Sequence, residues 1–303
     1  MNKTTKADTV LLLVTVLAAS GWLFTKLGIS GFPPMGFMAL RFLAASLLVV
    51  PFTYKLLLNL TARQWSLAIR IGLFQGVGLL IWSIALDKSS ELSEGAFISS
   101  TLVLMVPVWG RLFFAKRIAR DTLMALPVAL TGLAMLALNG SWSYEPTQVM
   151  FLVSAALLAM HLNLLTYFGR EVPALPSTCI QLAMVGLCCL AGSLLFESYP
   201  SKIPADTWLW LAAAVLIATS LRYFLLTWGF KHSTSGHAAI IMILEPVWTS
   251  LMSVIWLGEI LTQRKLAGCA FIFLALLITR RQQVMKIIKP ATKVSTVPME
   301  KLS

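Results

Sequence analysis

The sequence contains little charge for its length. Only 12% of its 303 residues are Asp, Glu, Lys or Arg, whereas 58% are hydrophobic. A soluble globular domain has about 25% charged and about 45–50% apolar residues, so an ordinary water-soluble protein is excluded. A secreted disulfide scaffold is excluded too, because the few cysteines lie inside apolar stretches and are best interpreted as small buried hydrophobic residues. They are Cys179, Cys188, Cys189 and Cys269.

Catalytic and nucleotide-binding motifs are also missing. The sequence has no P-loop, which excludes a self-contained ATP-driven pump, and no H-E-x-x-H pair for a metalloenzyme. Aspartyl chemistry needs two deep carboxylates, but Glu245 is the only acid clearly central to an apolar block. An intramembrane enzyme is therefore disfavoured, and no cofactor is predicted. The net charge of +12 is scattered through short gaps, which indicates membrane topology rather than a nucleic-acid partner.

Long apolar blocks fill most of the chain. A transmembrane helix needs about 20 apolar residues, and ten blocks of about this length can be drawn. They are Thr9–Leu27, Pro34–Tyr54, Trp65–Leu86, Gly95–Phe114, Thr122–Leu138, Gln148–Phe168, Ser177–Phe196, Thr207–Trp228, Gly236–Leu257 and Leu266–Thr279. The predicted fold class is therefore an all-α integral membrane protein with ten transmembrane helices.

The charges between the blocks predict the orientation. With residues 1–8 in the cytoplasm, the outer gaps contain few basic residues and collect most of the acidic ones. The basic residues of the outer gaps are Lys88, Lys202, Arg264 and Lys265. Lys and Arg concentrate in cytoplasmic loops, so both termini are predicted to be cytoplasmic and the protein to lie in the cell (inner) membrane. The basic tail, residues 280–303, is expected near anionic headgroups.

The two halves of the chain resemble each other. Pro107-Val108-Trp109 in the fourth block matches Pro246-Val247-Trp248 in the ninth, and each is followed by an apolar run, a corner and another block. Residues 9–139 and 148–279 are therefore predicted to be two five-helix repeats. Five is an odd number, so the second repeat must enter the membrane inverted. Inverted repeats around a central cavity are typical of secondary transporters, although duplication can build any bundle.

Several motifs carry a resemblance to a known family. Three of them follow one another along the chain: Phe24-Thr25-Lys26-Leu27-Gly28, Leu40-Arg41-Phe42, and the stretch from Leu244-Glu245-Pro246 through Leu257-Gly258-Glu259 to Gly268. EamA-type transporters have similar motifs in the same order. The chain thus resembles the drug/metabolite transporter superfamily over about residues 9–280. The resemblance implies two inverted five-helix units around a cavity, and export or sometimes uptake of small metabolites without ATP.

Charged residues deep in the blocks are the candidate binding residues, because a charge at mid-bilayer costs about 2.5–3.5 kcal/mol on insertion scales. Glu245 lies at the centre of block nine. One interpretation is that it binds a substrate ammonium or exchanges a proton, and the alternative is that it forms a structural ion pair. Arg41 and Arg222 are its candidate partners, or clamps for a substrate carboxylate. Gln181 occupies the repeat position of Arg41, and His161 either relays protons or only hydrogen-bonds a neighbouring helix.

Tryptophans are the second group of candidate site residues. Trp22, Trp82 and Trp248, with Trp109 and Trp228, are predicted to wall the cavity. One carboxylate, two deep arginines and aromatic walls favour an exporter of an amino acid or related zwitterion, working by alternating access. An uptake carrier for a metabolite or vitamin and a passive channel are the alternatives. The predicted partners are a small-molecule substrate and the lipid bilayer, with proton coupling and the choice of monomer or homodimer left open.

Overall fold

The fold is built from helices. The computed structural model describes residues 3–115, 120–137, 145–226 and 241–279, and these ranges contain no strand. The α-helices, in chain order, are α1 (Lys3–Ile29), α2 (Pro34–Leu58), α3 (Ala62–Lys88), α4 (Leu92–Ser100), α5 (Leu102–Phe114), α6 (Arg120–Ala137), α7 (Pro146–Phe168), α8 (Ala174–Phe196), α9 (Ala205–Ala213), α10 (Glu245–Leu257) and α11 (Gln263–Thr279). The prediction of an all-α protein is therefore confirmed.

Seven helical segments in the described ranges are long and apolar enough to cross a membrane. The remaining predicted spans correspond to the shorter helices α6, α10 and α11, so the count of ten stays a prediction. The expected ends at Leu138, Trp228 and Gly236, and the tail 280–303, lie outside the described residues. Many large apolar side chains on the helices point away from the protein, as a lipid-facing surface requires.

Three of the expected spans are not uniform α-helices. The fourth breaks at Thr101, where the hydroxyls of Ser100 and Thr101 each donate to the carbonyl three residues earlier and compete with the helical bonds. The eighth passes from α9 into a π-helical segment, Ala214–Leu221. In the ninth, a 3₁₀ turn, Met242–Leu244, precedes α10, and the Glu245 N–H donates to the Met242 carbonyl. This bond satisfies the Met242 carbonyl although Pro246 has no N–H to donate to it.

The helix connections lie at two ends of the bundle, which are named here by their turns. At the α7–α8 end, Arg63 at the start of α3 forms an ion pair of 3.0 Å with Glu171 in the α7–α8 turn. At the α10–α11 end, Glu197 follows α8 and accepts the N–H groups of Met35 and Gly36 at 2.7 and 2.9 Å. A carboxylate at this position satisfies unpaired N–H groups at the start of α2 and complements the helix dipole.

Small residues allow the helices to pack closely. α2 packs along α8, α6 packs along α11, and α3 contacts both α7 and α8. A Cβ added at Gly76 would lie 2.7 Å from the Cys188 sulfur, and one at Gly132 would lie 2.7 Å from the Gly268 carbonyl oxygen. These approaches are shorter than van der Waals contact, so the glycines set the distance between the paired helices.

Candidate functional site

A large cavity lies between the helices. Its volume is about 980 Å³, and α1, α2, α3, α7, α8, the π-helical segment and the start of α10 contribute to its wall. The cavity reaches from Trp22 and Trp82 to Gly169 and Ala174 at the α7–α8 end. Seven of the eight predicted site residues line it: Trp22, Arg41, Trp82, His161, Gln181, Arg222 and Glu245. Helices far apart in the sequence thus bring these side chains into one space.

Glu245 and Arg222 form an ion pair in the cavity wall. Arg222 Nη2 lies 3.5 Å from Glu245 Oε2, and the Trp22 indole N–H donates to Glu245 Oε1 at 3.3 Å. The two charged side chains keep 26% and 25% of their surface exposed, so the pair faces the cavity rather than the protein interior. Of the two arginines the sequence proposed as partners, the structure places Arg222 beside Glu245.

Arg41 is held by hydroxyl groups instead. Its Nε donates to Thr219 Oγ1 at 2.9 Å, and its Nη1 donates to Thr25 Oγ1 at 2.7 Å. Within the described ranges no acidic side chain forms an ion pair with it. Gly21 makes room for this arrangement, because a Cβ there would lie 3.2 Å from Arg41 Nη2. A fixed guanidinium without a counter-ion at a cavity wall is suited to bind a carboxylate.

A neutral polar wall faces the same cavity. The His161 ring donates from Nδ1 to the Ile71 carbonyl at 3.1 Å, and Gln181 donates from Nε2 to Ser177 Oγ at 2.8 Å. The carbonyl can only accept, so His161 Nδ1 carries the proton and Nε2 of the neutral ring remains an acceptor. These contacts fix both side chains, and each keeps one atom with hydrogen-bonding capacity.

Two tryptophans end the cavity toward the α10–α11 end. The rings of Trp22 and Trp82 are 4.6 Å apart in a T-shaped arrangement, and Phe151 lies 6.1 Å from Trp22. Beyond them, Leu86 and Leu92 are almost fully buried. Apolar packing therefore closes the bundle at this side of the cavity.

The structure separates Trp248 from the other candidate site residues. It does not line the cavity among the residues that the structure describes. Only the first turn of α10, with Glu245 and Pro246, reaches the cavity, and the rest of the helix runs on toward the α10–α11 end against α1 and α4. Trp109 is likewise absent from the described lining, and it donates to the Ala156 carbonyl at 2.8 Å. Trp228 lies outside the described residues.

Polar contacts hold the α10–α11 end together. The Lys26 ammonium donates to the carbonyls of Leu86 and Ser89 at 2.7 and 2.6 Å, and so binds α1 to the end of α3. The Lys265 ammonium pairs with Glu91 in a short contact. Glu259 accepts the Ser93 N–H at 3.2 Å and also contacts its hydroxyl. Lys26 thus acts as a C-cap for α3.

Sequence reasoning missed four residues of the site. Thr25 and Thr219 hold Arg41, while Gln75 and Ser99 are among the residues that line the cavity. Threonine and serine are common in membrane helices, so their presence gave no signal. Gln75 was the one that could have been detected, since this glutamine lies at the centre of the third block.

A family comparison assigns the class of protein. The EamA-like transporter family model matches residues 5–138 and again residues 146–281. Together these segments include most of the chain, so the protein belongs to the EamA-like transporter family of the drug/metabolite transporter superfamily. Together with the apolar helices, this makes it a multi-pass membrane transporter.

Similar proteins agree with this class. An uncharacterized transporter of Archaeoglobus fulgidus is 25% identical over 273 residues, which cover 90% of this chain and 85% of that protein. The chloramphenicol-sensitive protein RarD of Pseudomonas aeruginosa is 28% identical over 206 residues, 67% of this chain and 65% of that one. A solved crystal structure superposes with a TM-score of 0.62 at 18% identity, over 93% of this chain and 98% of its own, which supports the fold.

Proposed function

We propose that the protein is a secondary transporter that exports an amino acid or related zwitterion by alternating access. The observation that carries this proposal is the partly exposed ion pair between Glu245 and Arg222 in the cavity wall. Both charges are already desolvated and held in place, so a substrate can exchange one ionic partner for another without a large new desolvation cost. A pair that served only to fix helix packing would have no need to face the cavity.

The charge balance of the cavity matches a zwitterion. Arg41 and Arg222 are positive and close enough to repel each other, and Glu245 is the acid that faces them among the described lining residues. A substrate carboxylate between the guanidinium groups relieves their repulsion, while its ammonium binds Glu245. An anion without the ammonium would leave Glu245 facing the carboxylate. The substrate is therefore expected to carry both charges.

Two related halves and alternating access are part of the proposal. The same family model matches both halves of the chain, and helices at equivalent predicted positions pack together, as α2 does with α8 and α6 with α11. Such pairing is expected when ten spans form two inverted five-helix repeats related by a two-fold axis in the membrane plane. The cavity reaches the α7–α8 end, while packing and ion pairs close the α10–α11 end, as one state of an alternating-access cycle requires.

The orientation gives the proposed direction. Basic residues such as Lys55 and Arg63 lie at the α7–α8 end, and acids such as Glu91 and Glu259 lie at the opposite end. By the positive-inside rule the α7–α8 end faces the cytoplasm, together with both termini. In this state the cavity would take its substrate from the cytoplasm, which is the loading step that export across the inner membrane requires.

Exchange of radiolabelled L-amino acids in proteoliposomes tests the proposal. Hydrogen bonds to charged groups contribute about 1.5–3 kcal/mol, so Glu245→Gln and Arg222→Gln should each slow exchange about 10- to 100-fold. The matched control is the Arg63–Glu171 pair, which has similar chemistry but lies outside the cavity. Arg63→Gln should leave exchange within about twofold of the wild-type rate.

Two results would contradict the proposal. Normal exchange by folded Glu245→Gln protein, checked by size-exclusion chromatography, would assign the ion pair to packing alone. Uptake that is not accelerated by substrate on the far side of the membrane would identify a channel, since only a carrier with alternating access shows such acceleration.

A further inference from the structure

We propose that Thr219 is a positioning residue for transport. Its hydroxyl group holds the segment Ala214–Leu221 in the π-helical form, and this form places Arg222 beside Glu245. The inference rests on the proposed function, because the position of Arg222 matters for transport only if its ion pair with Glu245 receives the substrate.

The local sequence does not require a π-helix. Residues 205–226 contain no glycine and no proline, which are common causes of an irregular helix. In a π-helix the backbone N–H groups donate to the carbonyl five residues earlier instead of four, as the Arg222 N–H does to the Ile217 carbonyl. This form is rare, so contacts made by side chains must stabilise it here.

The Thr219 hydroxyl makes such a contact. It donates to the Ala214 carbonyl at 2.8 Å, which belongs to the residue five positions earlier. Thr25 and Thr249 donate to the carbonyl four positions earlier, as hydroxyls in α-helices do. In an α-helix one further position lies about 100° around the axis, which takes that carbonyl out of reach. The Thr219 bond therefore stabilises the π form over the α form.

The neighbouring serine favours the α form. Ser220 Oγ is buried and has no hydrogen-bond partner within the part of the chain that the structure describes. In an α-helix a serine can donate to the carbonyl four residues earlier, which here belongs to Leu216. Conversion of the segment would thus satisfy Ser220 and break the Thr219 bond, so the two hydroxyls favour different helical forms.

Arg222 follows the segment directly and depends on its form. Its guanidinium lies 3.5 Å from the Glu245 carboxylate, and its Nε is buried without a partner among the described residues. With so few side-chain contacts, the backbone sets where this side chain lies. Conversion to an α-helix shifts the residues that follow by one position relative to α9, about 100° around and 1.5 Å along the axis. Arg222 would then leave Glu245.

Arg41 connects this segment to the first half of the chain. Its Nε donates to the Thr219 hydroxyl at 2.9 Å, and a hydroxyl that accepts from a cation donates more strongly, because linked hydrogen bonds polarise one another. A substrate carboxylate that draws Arg41 away would weaken the bond from Thr219 to Ala214. Binding at Arg41 would thus release Arg222 and free Glu245 for the substrate ammonium.

Distances between spin labels on the full-length protein in nanodiscs test the positioning role. One label is attached at Phe224→Cys, after the segment, and the other at Leu13→Cys on α1 or Leu47→Cys on α2, with the four native cysteines replaced by alanine. All three label positions are exposed on the outer surface of the bundle. A rotation of 100° moves a label at the surface of a helix by about 8 Å.

Two substitutions at the same position give the expected result. Thr219→Val keeps the shape and removes the hydroxyl, so it should shift at least one of the two distances by several ångströms. Thr219→Ser keeps the hydroxyl and should retain the wild-type distances. Thr219→Ala should give the same shift as Thr219→Val, and it provides the test if the valine variant does not fold.

The matched control is Thr25→Val. It removes the other hydroxyl that accepts from Arg41 and leaves the bond from Thr219 to Ala214 intact, so both distances should stay at their wild-type values. In proteoliposomes, Thr219→Val should slow the exchange of radiolabelled L-amino acids about 10- to 100-fold, as Arg222→Gln does.

The contrary outcomes separate this role from the proposed function. Unchanged distances in folded Thr219→Val and Thr219→Ala, with slow exchange by Glu245→Gln, would overturn the role of Thr219 and leave the proposed function standing. Equal shifts in the valine and serine variants would also overturn it, since packing would then be the cause. Normal exchange by both Glu245→Gln and a shifted Thr219→Val variant would overturn both proposals.

Discussion

Removing one hydroxyl that holds Arg41 should affect stability and binding together. The Thr25 hydroxyl donates its only proton to the Gly21 carbonyl at 2.5 Å, so its oxygen is oriented to accept from Arg41 Nη1 at 2.7 Å. Thr219 does the same through the Ala214 carbonyl at 2.8 Å. Thr25→Val keeps the shape of the side chain and removes this acceptor, which leaves a buried guanidinium N–H unpaired.

The size of the effect follows from these contacts. A hydrogen bond to a charged group contributes about 1.5–3 kcal/mol, and about 2 kcal/mol corresponds to a fall of about 4–8 °C in thermal midpoint for a chain of more than 150 residues. We therefore expect such a fall for Thr25→Val in nanodiscs. Because Arg41 loses one of its two fixed contacts, the affinity for an amino-acid ligand that is exchanged by the wild-type protein should fall about tenfold as well.

The control is Thr25→Ser, which retains the hydroxyl. Its midpoint and affinity should stay close to the wild-type values, apart from a small loss from the missing methyl group. Equal effects of the valine and serine variants would show that packing, rather than the hydrogen bond, supports Arg41. A stable Thr25→Val variant with unchanged affinity would refute the assignment of Arg41 to the carboxylate.

Two further predictions concern parts of the bundle outside the cavity. Lys265→Met removes the partner of Glu91 at the α10–α11 end, so this end should open more often. A membrane-impermeant probe applied from that side should then label a cysteine introduced at Trp22 faster than it does in the protein that keeps Lys265. Unchanged labelling would contradict a closing role for the ion pair. Gly132→Leu forces a side chain against the backbone of Gly268, because even a Cβ at residue 132 would lie 2.7 Å from the Gly268 carbonyl oxygen. The yield of monodisperse protein should therefore fall severalfold. A full yield would show that α6 and α11 can separate.

The sequence singled out the charged residues that line the cavity, for a physical reason. Glu245, Arg41 and Arg222 are costly in a bilayer, so their presence alone indicates a polar cavity. Which arginine pairs with Glu245 was not predictable from sequence. Arg41 and Arg222 both lie within a few turns of the membrane centre, and the choice between them depends on how α2 and the π-helical segment are rotated about their axes. The position of Trp248 in the chain, three residues after Glu245, does not show how little of α10 reaches the cavity.

The polar wall was harder to predict because uncharged residues have several uses in a membrane helix. Many serine and threonine hydroxyls in the described helices donate to a carbonyl three or four residues earlier, as Thr249 does to Glu245, and such a bond needs no other partner. Thr25 differs only because Arg41 approaches its oxygen from another helix. The contact between helices gives these residues their role. Charge therefore indicates a polar cavity from sequence, whereas the role of an uncharged residue becomes recognisable only when the helices are assembled and its contacts, such as those of Thr25 and Thr219 with Arg41, can be seen.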